Sequence, residues 1–310
     1  MNSTLINNPL MEQIDEIGSL IGNTPLLEIK HAFHKPGIRL YAKLEWHQLG
    51  ESVKARPAYQ IIKDAIVNGN LSKEKRLLDA TSGNTGIAYA AICARLGIPL
   101  TICLPKNASE ERKVLLRAFG AELIYTSPME GTDGAQAKAK ALADENPALY
   151  YYADQYNNQS NWKAHYYGTA REIYHQTQGT ITHFVAALGT TGTFTGTAKK
   201  LKEANAQIAT IALQPETALH GLEGWKDLET AKVPGIYDPS WHDEIKAVST
   251  LEAYDWVKIF ARREGMLISP SSAANLAGAV KVAEEIDEGT IVTIFPDNAA
   301  KYSEVINTLF

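Results

Sequence analysis

Only two cysteines, Cys93 and Cys103, occur in the 310 residues, each inside an apolar run (AAICARLGI and LTICLP). Two thiols cannot build a disulfide framework, and the histidines stand at none of the usual zinc spacings. The expectation is a pair of buried, reduced thiols and no metal site. An excess of positive charge is also lacking. Thirty Lys and Arg face 35 Asp and Glu, a net charge of −5, which argues against a nucleic-acid-binding protein. No apolar run approaches the roughly 20 residues of a membrane span, so no membrane partner is expected. The opening MNSTLINNPLMEQIDEIGSL lacks a basic segment followed by an apolar one, so the expected location is cytoplasmic, without a secretory leader. Internal repeats and low-complexity tracts are missing too. Hydrophobic residues at 45% and charged residues at 21% are ordinary globular values, which excludes disorder. A chain of this length forms two domains or one large α/β domain.

What is present is a regular alternation. Short β-branched runs predict strands over Arg39–Leu44, Leu77–Ala80, Leu100–Leu104, Glu122–Thr126, His183–Leu188, Ala209–Gln214 and Thr290–Phe295. Segments of helical period lie between or after them, at Ala58–Val67, Gly86–Leu96, Glu110–Phe119, Ala135–Asp144, Trp162–Tyr174, Phe194–Ala204, Leu251–Arg263 and Ala273–Glu285. Ala58, Ile61, Ile62, Ala65 and Ile66, for example, form the stripe of a half-buried helix. Strands separated by helices imply βαβ units and parallel sheets. Glu216–Lys246, with its prolines and glycines, breaks the rhythm as a lid or a subunit contact would.

In such sheets ligands bind beyond the carboxyl ends of the strands, and three loops there carry suitable chemistry. Gly189-Thr190-Thr191-Gly192-Thr193 combines glycines, which admit an anion to backbone N–H groups, with hydroxyl donors and a following helix N-terminus. That composition suits a phosphate monoester, although an ordinary tight turn can share it. It is neither a Walker A loop nor GxGxxG. Thr81-Ser82-Gly83-Asn84-Thr85-Gly86 is a second nest of donors, suited to a carboxylate. Lys54, after Gly50-Glu51-Ser52-Val53, is either a solvated charge or, in a desolvated anion-rich site, a Schiff-base nucleophile.

IGNTPL, KLE followed by SVKARP, TSGNTG, GTTGT and SPSSAAN stand in one order along the chain, with DQYNN, HFVAALGT and VPGIYDP among them. In these motifs the sequence resembles the pyridoxal-phosphate enzymes of the cysteine synthase and cystathionine β-synthase family. The likeness covers essentially the whole chain and is nearest to B-type O-acetylserine and O-phosphoserine sulfhydrylases. It implies the fold: α/β, two doubly wound three-layer lobes with the cofactor in the cleft between them. Residues 1–45 plus 157–310 would form the larger, phosphate-binding lobe, and 46–156 the smaller, mobile, substrate-carboxylate lobe. It also implies the cofactor, pyridoxal 5'-phosphate. Lys54 matches the lysine of the internal aldimine, Asn84 the partner of the 3′-oxygen, and Gly189, Thr190, Thr191, Gly192 and Thr193 the phosphate loop. Ser271 matches the serine on the pyridine nitrogen, with Ser272 as the alternative register. Thr81, Ser82, Gly83, Thr85 and Gln155 match the groups that hold the substrate α-carboxylate.

The implied reaction is β-replacement on an activated L-serine by sulfide, through an aminoacrylate, giving L-cysteine. A serine on the pyridine nitrogen does not keep it protonated as a carboxylate would, which favours prompt β-elimination. Other nucleophiles, net cysteine elimination, or a non-catalytic regulatory homologue are the alternatives. The implied partners are a small amino-acid substrate, a sulfur nucleophile, a second copy in a homodimer and a serine acetyltransferase. The chain departs from the family pattern where Glu51, Ala55, Ala273 and Ala299 stand. Glu51 is either a specificity residue that disfavours a phosphate leaving group or a solvated loop residue. Lys226 is either a phosphate contact or a surface lysine.

Overall fold

A computed structural model describes residues 9–310; the first eight residues, expected in the larger lobe, lie outside the described residues. In chain order the elements begin with α1 (Pro9–Gly18), β1 (Leu26–Ile29), β2 (Ile38–Leu44), α2 (Ala55–Val67), β3 (Arg76–Ala80), α3 (Asn84–Leu96) and β4 (Leu100–Pro105). There follow α4 (Glu110–Ala118), β5 (Glu122–Thr126), α5 (Gly131–Glu145), β6 (Tyr150–Tyr152), α6 (Gln159–Ala164), α7 (Ala170–Gln176) and β7 (His183–Ala187). The rest are α8 (Gly192–Ala204), β8 (Ala209–Pro215), β9 (Glu244–Val248), α9 (Thr250–Glu264), α10 (Pro270–Glu285), β10 (Gly289–Phe295) and α11 (Ser303–Leu309).

The described chain divides into two compact units, one of residues 9–22, 48–50 and 54–160, the other of 23–47, 51–53 and 161–310. The first is built on a four-stranded parallel sheet, ordered β5-β4-β3-β6. Ile61, Ile62, Ile87, Ile92 and Leu96 of α2 and α3 cover one face with Leu77, Ile102 and Leu104. Ala135 and Ala139 of α5 cover the other, against Leu78, Ala80 and Cys103. The alternation Leu77/Leu78 and Ile102/Cys103 sends successive side chains to opposite faces, as a pleated strand must. Residues 9–22, expected with the larger lobe, belong instead to this unit. Leu10, Ile14 and Ile17 recur at helical spacing and bury against the α2–α3 face.

The second unit carries six strands ordered β1-β2-β10-β7-β8-β9. Val185, Ile211, Leu213 and Ile291 face α9 and α10, whereas Phe184, Ala186, Ala212 and Val292 face α7 and α8. Both sheets thus have helices on both faces, the doubly wound architecture. One expectation fails at the edge, where β1 pairs antiparallel with β2, from Leu26↔Lys43 to Ile29↔Leu40. A parallel pairing needs a crossover of a dozen or more residues, and the short link from Ile29 to Ile38 turns back through Gly37 at φ +84°. The helix expected over Trp162–Tyr174 is interrupted by a π-helical turn, His165–Thr169. The stretch 216–246 is anchored rather than free-standing, since Leu222 and Trp225 sink into the α9–α10 core. Both cysteines are free thiols; burial pushes Cys93 up to about 12 and Cys103 up to about 11.

One ion pair is embedded in the second unit. Lys43 on β2 is fully buried, 2.7 Å from Glu172 of α7, and donates to the Thr24 carbonyl and to Gln176 Oε1. Removing one partner leaves the other charge in a poorly solvated site. Glu172→Ala is expected to lower stability by about 3 kcal/mol, read as a fall in the thermal midpoint, while Asp144→Ala, which breaks the exposed Lys140–Asp144 pair, serves as a milder comparison.

Candidate active site

In the second unit, β7 ends at Ala187 and the chain enters α8 through Leu188 and Gly189–Thr191. Gly189 is obligatory there, because a Cβ would lie 2.0 Å from the Gly224 carbonyl oxygen. At Gly192 a Cβ would lie 2.0 Å from Asn161 Oδ1. Thr191 holds φ +70°, a left-handed conformation costly for a β-branched residue. Among the described residues its buried hydroxyl has no hydrogen-bond partner. Thr190 Oγ1 accepts from Asn161 Nδ2 at 3.1 Å, and Thr193 Oγ1 lies 3.3 Å from His165 Nε2. A glycine-walled loop, an unmatched hydroxyl and the N-terminus of a 13-residue helix together fit a phosphate.

Ser271 is buried in the first turn of α10, and its Oγ lies 3.0 Å from Ser269 Oγ. Ser272 donates instead to the Asp297 carbonyl at 2.7 Å and is fully buried. Of the two serines, Ser272 has its proton committed to the backbone. Asn275, one turn further on, accepts from Ala187 N–H at 3.0 Å and donates to the Ser271 carbonyl at 2.9 Å. One side chain therefore ties the end of β7, where the phosphate-type loop starts, to Ser271. The motif SPSSAAN contains this asparagine, but its bracing role was not read from the sequence. Asn161 was missed as well, with no signal beyond its place in an Asn/Gln-rich segment.

Lys226 is half-buried, and its backbone N–H donates to the Leu188 carbonyl at 2.7 Å. The irregular stretch thus walls the loop through Gly224 and Lys226. Glu51 lies in the second unit with an exposed side chain and φ +50°. Its carbonyl accepts from Lys301 Nζ at 2.8 Å.

In the first unit, half-buried Lys54 immediately precedes α2, its carbonyl accepting from Ala58 N–H at 3.1 Å. Thr81–Gly83 joins β3 to α3, which begins at Asn84. A Cβ on Gly83 would meet nothing within 4 Å, so open space lies over this turn. Gly83 N–H donates to Thr81 Oγ1 at 3.2 Å, and Ser82 and Asn84 are partly exposed. Thr85 Oγ1 donates to Gln155 Oε1 at 2.8 Å, and Gln155 Nε2 donates to the Ala80 carbonyl at 3.2 Å. The structure thus brings Thr81, Ser82, Gly83, Thr85 and Gln155 together. Beneath them Asp79 on β3 is buried, and burial pushes its carboxyl up to about 7. Burial also raises the adjacent Tyr89 phenol, which stays neutral.

One doubly wound α/β unit thus carries a phosphate-type loop, and the other a lysine and a carboxylate-type nest. Residues 17–297 match the family model described as pyridoxal-phosphate dependent enzyme. The chain is 43% identical over 303 residues to a cysteine synthase of Aquifex aeolicus, covering 96% of this chain and 93% of that protein. It is 36% identical to an O-acetylserine dependent cystathionine beta-synthase of Bacillus subtilis, with 94% and 97% covered. The crystal structure of a cysteine synthase from Entamoeba histolytica superposes with a TM-score of 0.87 at 32% identity, covering 100% of this chain and 97% of that one. The chain belongs to the pyridoxal-phosphate dependent enzyme family, and it is a pyridoxal-phosphate dependent enzyme of the cysteine synthase type.

Two outcomes follow from this geometry. Gly189→Ala drives a methyl group into a backbone carbonyl that cannot swing aside, so the cofactor dissociation constant should rise at least about tenfold, read from bound-cofactor absorbance. Asp79 holds its proton more tightly folded than unfolded, so its contribution is fully present below the unfolded value, near 4, and is lost as the pH rises through about 7. The thermal midpoint of the parent should therefore fall relative to that of Asp79→Asn between pH 5 and pH 8.

Proposed function

We propose that the protein makes L-cysteine by β-replacement, with O-acetylserine or O-phosphoserine as the activated serine and sulfide as the nucleophile. The observation that supports this reading is the coexistence of two anion seats, a carboxylate-type nest at Thr81–Thr85 with Gln155 and a phosphate-type loop at Gly189–Thr193. Pyridoxal phosphate, when bound, supplies the electron sink that lets the substrate lose its Cα proton and its β-substituent.

Each residue then has a bounded task. Gly189–Thr193 bind the cofactor phosphate, and Asn84 donates to its 3′-oxygen. Ser271 offers a hydroxyl to the pyridine nitrogen without carrying a charge to protonate it. Thr81, Ser82, Gly83, Thr85 and Gln155 hold the substrate α-carboxylate and so fix which face of Cα meets the base. Lys54 Nζ takes the proton from Cα and returns it once sulfur has joined Cβ. Lys226 supplies positive charge beside the phosphate-type loop. The same reading makes the protein a cytoplasmic homodimer with the first unit, rather than residues 46–156 alone, as its carboxylate-binding lobe. The Bacillus subtilis relative supports a second reading, in which a thiol amino acid replaces sulfide and cystathionine forms.

The test is the visible spectrum of the holoprotein during addition of O-acetylserine, followed by sulfide or homocysteine. A band that shifts with O-acetylserine and recovers with sulfide supports cysteine formation. Recovery only with homocysteine supports the second reading, and a band that never responds marks a non-catalytic homologue. A separate comparison addresses Glu51, whose carboxylate repels a phosphate leaving group. Glu51→Gly should raise kcat/KM for O-phosphoserine relative to O-acetylserine about tenfold, the effect of roughly one charge pair. An unchanged ratio leaves Glu51 a loop residue only.

A further inference from the structure

A carboxylate buried directly beneath a seat for another carboxylate is electrostatically unfavourable, and Asp79 is such a group. Where the sheet of the first unit ends, its surroundings account for it. β3 and β6 run parallel as far as Leu78↔Tyr152, and Ala153 N–H makes one more bond to the Leu78 carbonyl at 2.9 Å. Asp154 then turns the chain out of the ladder at φ +44°. Gln155 N–H consequently donates to Asp79 Oδ2 at 3.4 Å, while Ala80 N–H donates to Asp79 Oδ1 at 2.8 Å. The Ala80 carbonyl accepts the Gln155 side-chain amide. Asp79 thus replaces the missing ladder contact and holds both ends of the Gln155 arrangement.

We propose that Asp79 is a positioning residue for the substrate: its ionised carboxylate fixes the backbone of Gln155 and aims the Gln155 amide at the α-carboxylate of the bound amino acid. The inference rests on the reading of Gln155 as a substrate contact. Only the ionised form offers an acceptor oxygen to each of the two N–H groups. A protonated acid presents a hydroxyl to one of them, and an asparagine presents an amide donor. Burial opposes that ionisation. The ionisable groups facing Asp79 are Asp154 beside it, Tyr89 of α3, Tyr151 and Tyr152 of β6, Tyr156, and Cys103 of β4. Of these, the Asp154 charge opposes the ionised form, whereas the backbone N–H of Ala80, the Tyr89 hydroxyl and the backbone N–H of Gln155 favour it. The carboxyl therefore changes state close to neutrality, and the aim of Gln155 changes with it.

Asp79→Asn preserves shape and mimics the protonated form, so the variant should differ from the parent only where the parent is ionised. At pH 8 the KM for O-acetylserine should rise about tenfold with kcat within about twofold. At pH 6 the ratio of variant to parent KM should approach one. Gln155→Ala should raise KM by itself, and Asp79→Asn should add nothing further in that background. An unchanged KM at pH 8, an equal ratio at both pH values, or additive effects in the double variant would overturn the positioning role while leaving Gln155 a substrate contact. A Gln155→Ala variant with unaltered KM overturns the reading of Gln155 itself, and the inference falls with it. Should Asp79→Asn fail to fold, the parent alone decides. At saturating sulfide its KM for O-acetylserine should fall with an inflection near pH 7 that kcat lacks, and a flat profile overturns the role.

Discussion

The carbonyl oxygen of Gly224 stands where a side-chain carbon on Gly189 would lie. Much of the second unit is arranged by that crowding. Gly224 is itself left-handed, at φ +81°, and Lys226 returns to bond the Leu188 carbonyl, so an irregular stretch is pinned against the loop after β7. On the opposite side Asn161 fills the space beside Gly192 and bonds Thr190. The π-helical turn that follows α6 then places His165 next to Thr193. With backbone on one wall and an amide on the other, Thr191 is left in a strained conformation with a buried hydroxyl. An oxyanion at the helix N-terminus would satisfy that hydroxyl and offset part of the strain.

The first unit answers a different problem. A sheet that runs out of partner strand leaves N–H groups without a ladder, and the polar groups of the turn after β3 must be kept in order. Asp79 supplies the acceptor, and Asp154 and Asn157 stabilise the turn: Asn157 donates from its side chain to the Asp154 carboxylate at 2.8 Å. A lysine at position 79 could accept nothing, and an apolar residue would leave the Gln155 and Ala80 N–H groups buried without that partner. The local rule that a buried carboxyl is unfavourable is broken here, where β3 outlasts its partner strand.

Strands buried on both faces were legible because apolar runs such as Leu100–Leu104 and Thr290–Phe295 are bounded by turns or helical periods. Glu122–Thr126 coincides with β5, and the other expected strands are recovered to within a residue or two. Three strands were not read. Three-residue β6 (Tyr150–Tyr152) is too short to show a period, edge strand β9 (EIKAV) carries two charges in its five residues, and β1 is a four-residue hairpin partner. The early helix α1 was missed although its apolar spacing is regular. Within the site, loops with glycine and hydroxyl residues announced themselves by composition. The choice between Ser271 and Ser272 did not, because it depends on Asp297, 25 residues away in sequence. Asn161 and Asn275 act through bonds to residues distant in the chain, which no local spacing records.

The departures from the family's glycine pattern are not equivalent in physical terms. Ala273 is inside the first turns of α10, fully buried in the core with Ala274 and Leu276, where helical backbone favours alanine over glycine by about 1 kcal/mol. Ala299 sits in a 3₁₀ turn whose start is capped by Asn298 Oδ1, which accepts from Ala300 N–H at 3.0 Å. Neither alanine needs a left-handed backbone. Glu51 does, directly after left-handed Gly50, and it is Lys301, from the segment containing Ala299, that bonds its carbonyl. Val53 N–H bonds the Pro296 carbonyl at 2.8 Å, so two contacts to the chain after β10 hold the residues just before Lys54. The strain at Glu51 is therefore carried by backbone bonds just before Lys54, while its side chain stays exposed. Lys54, Asn84, Ser271 and the glycines of the phosphate-type loop all stand in the chain beside these departures.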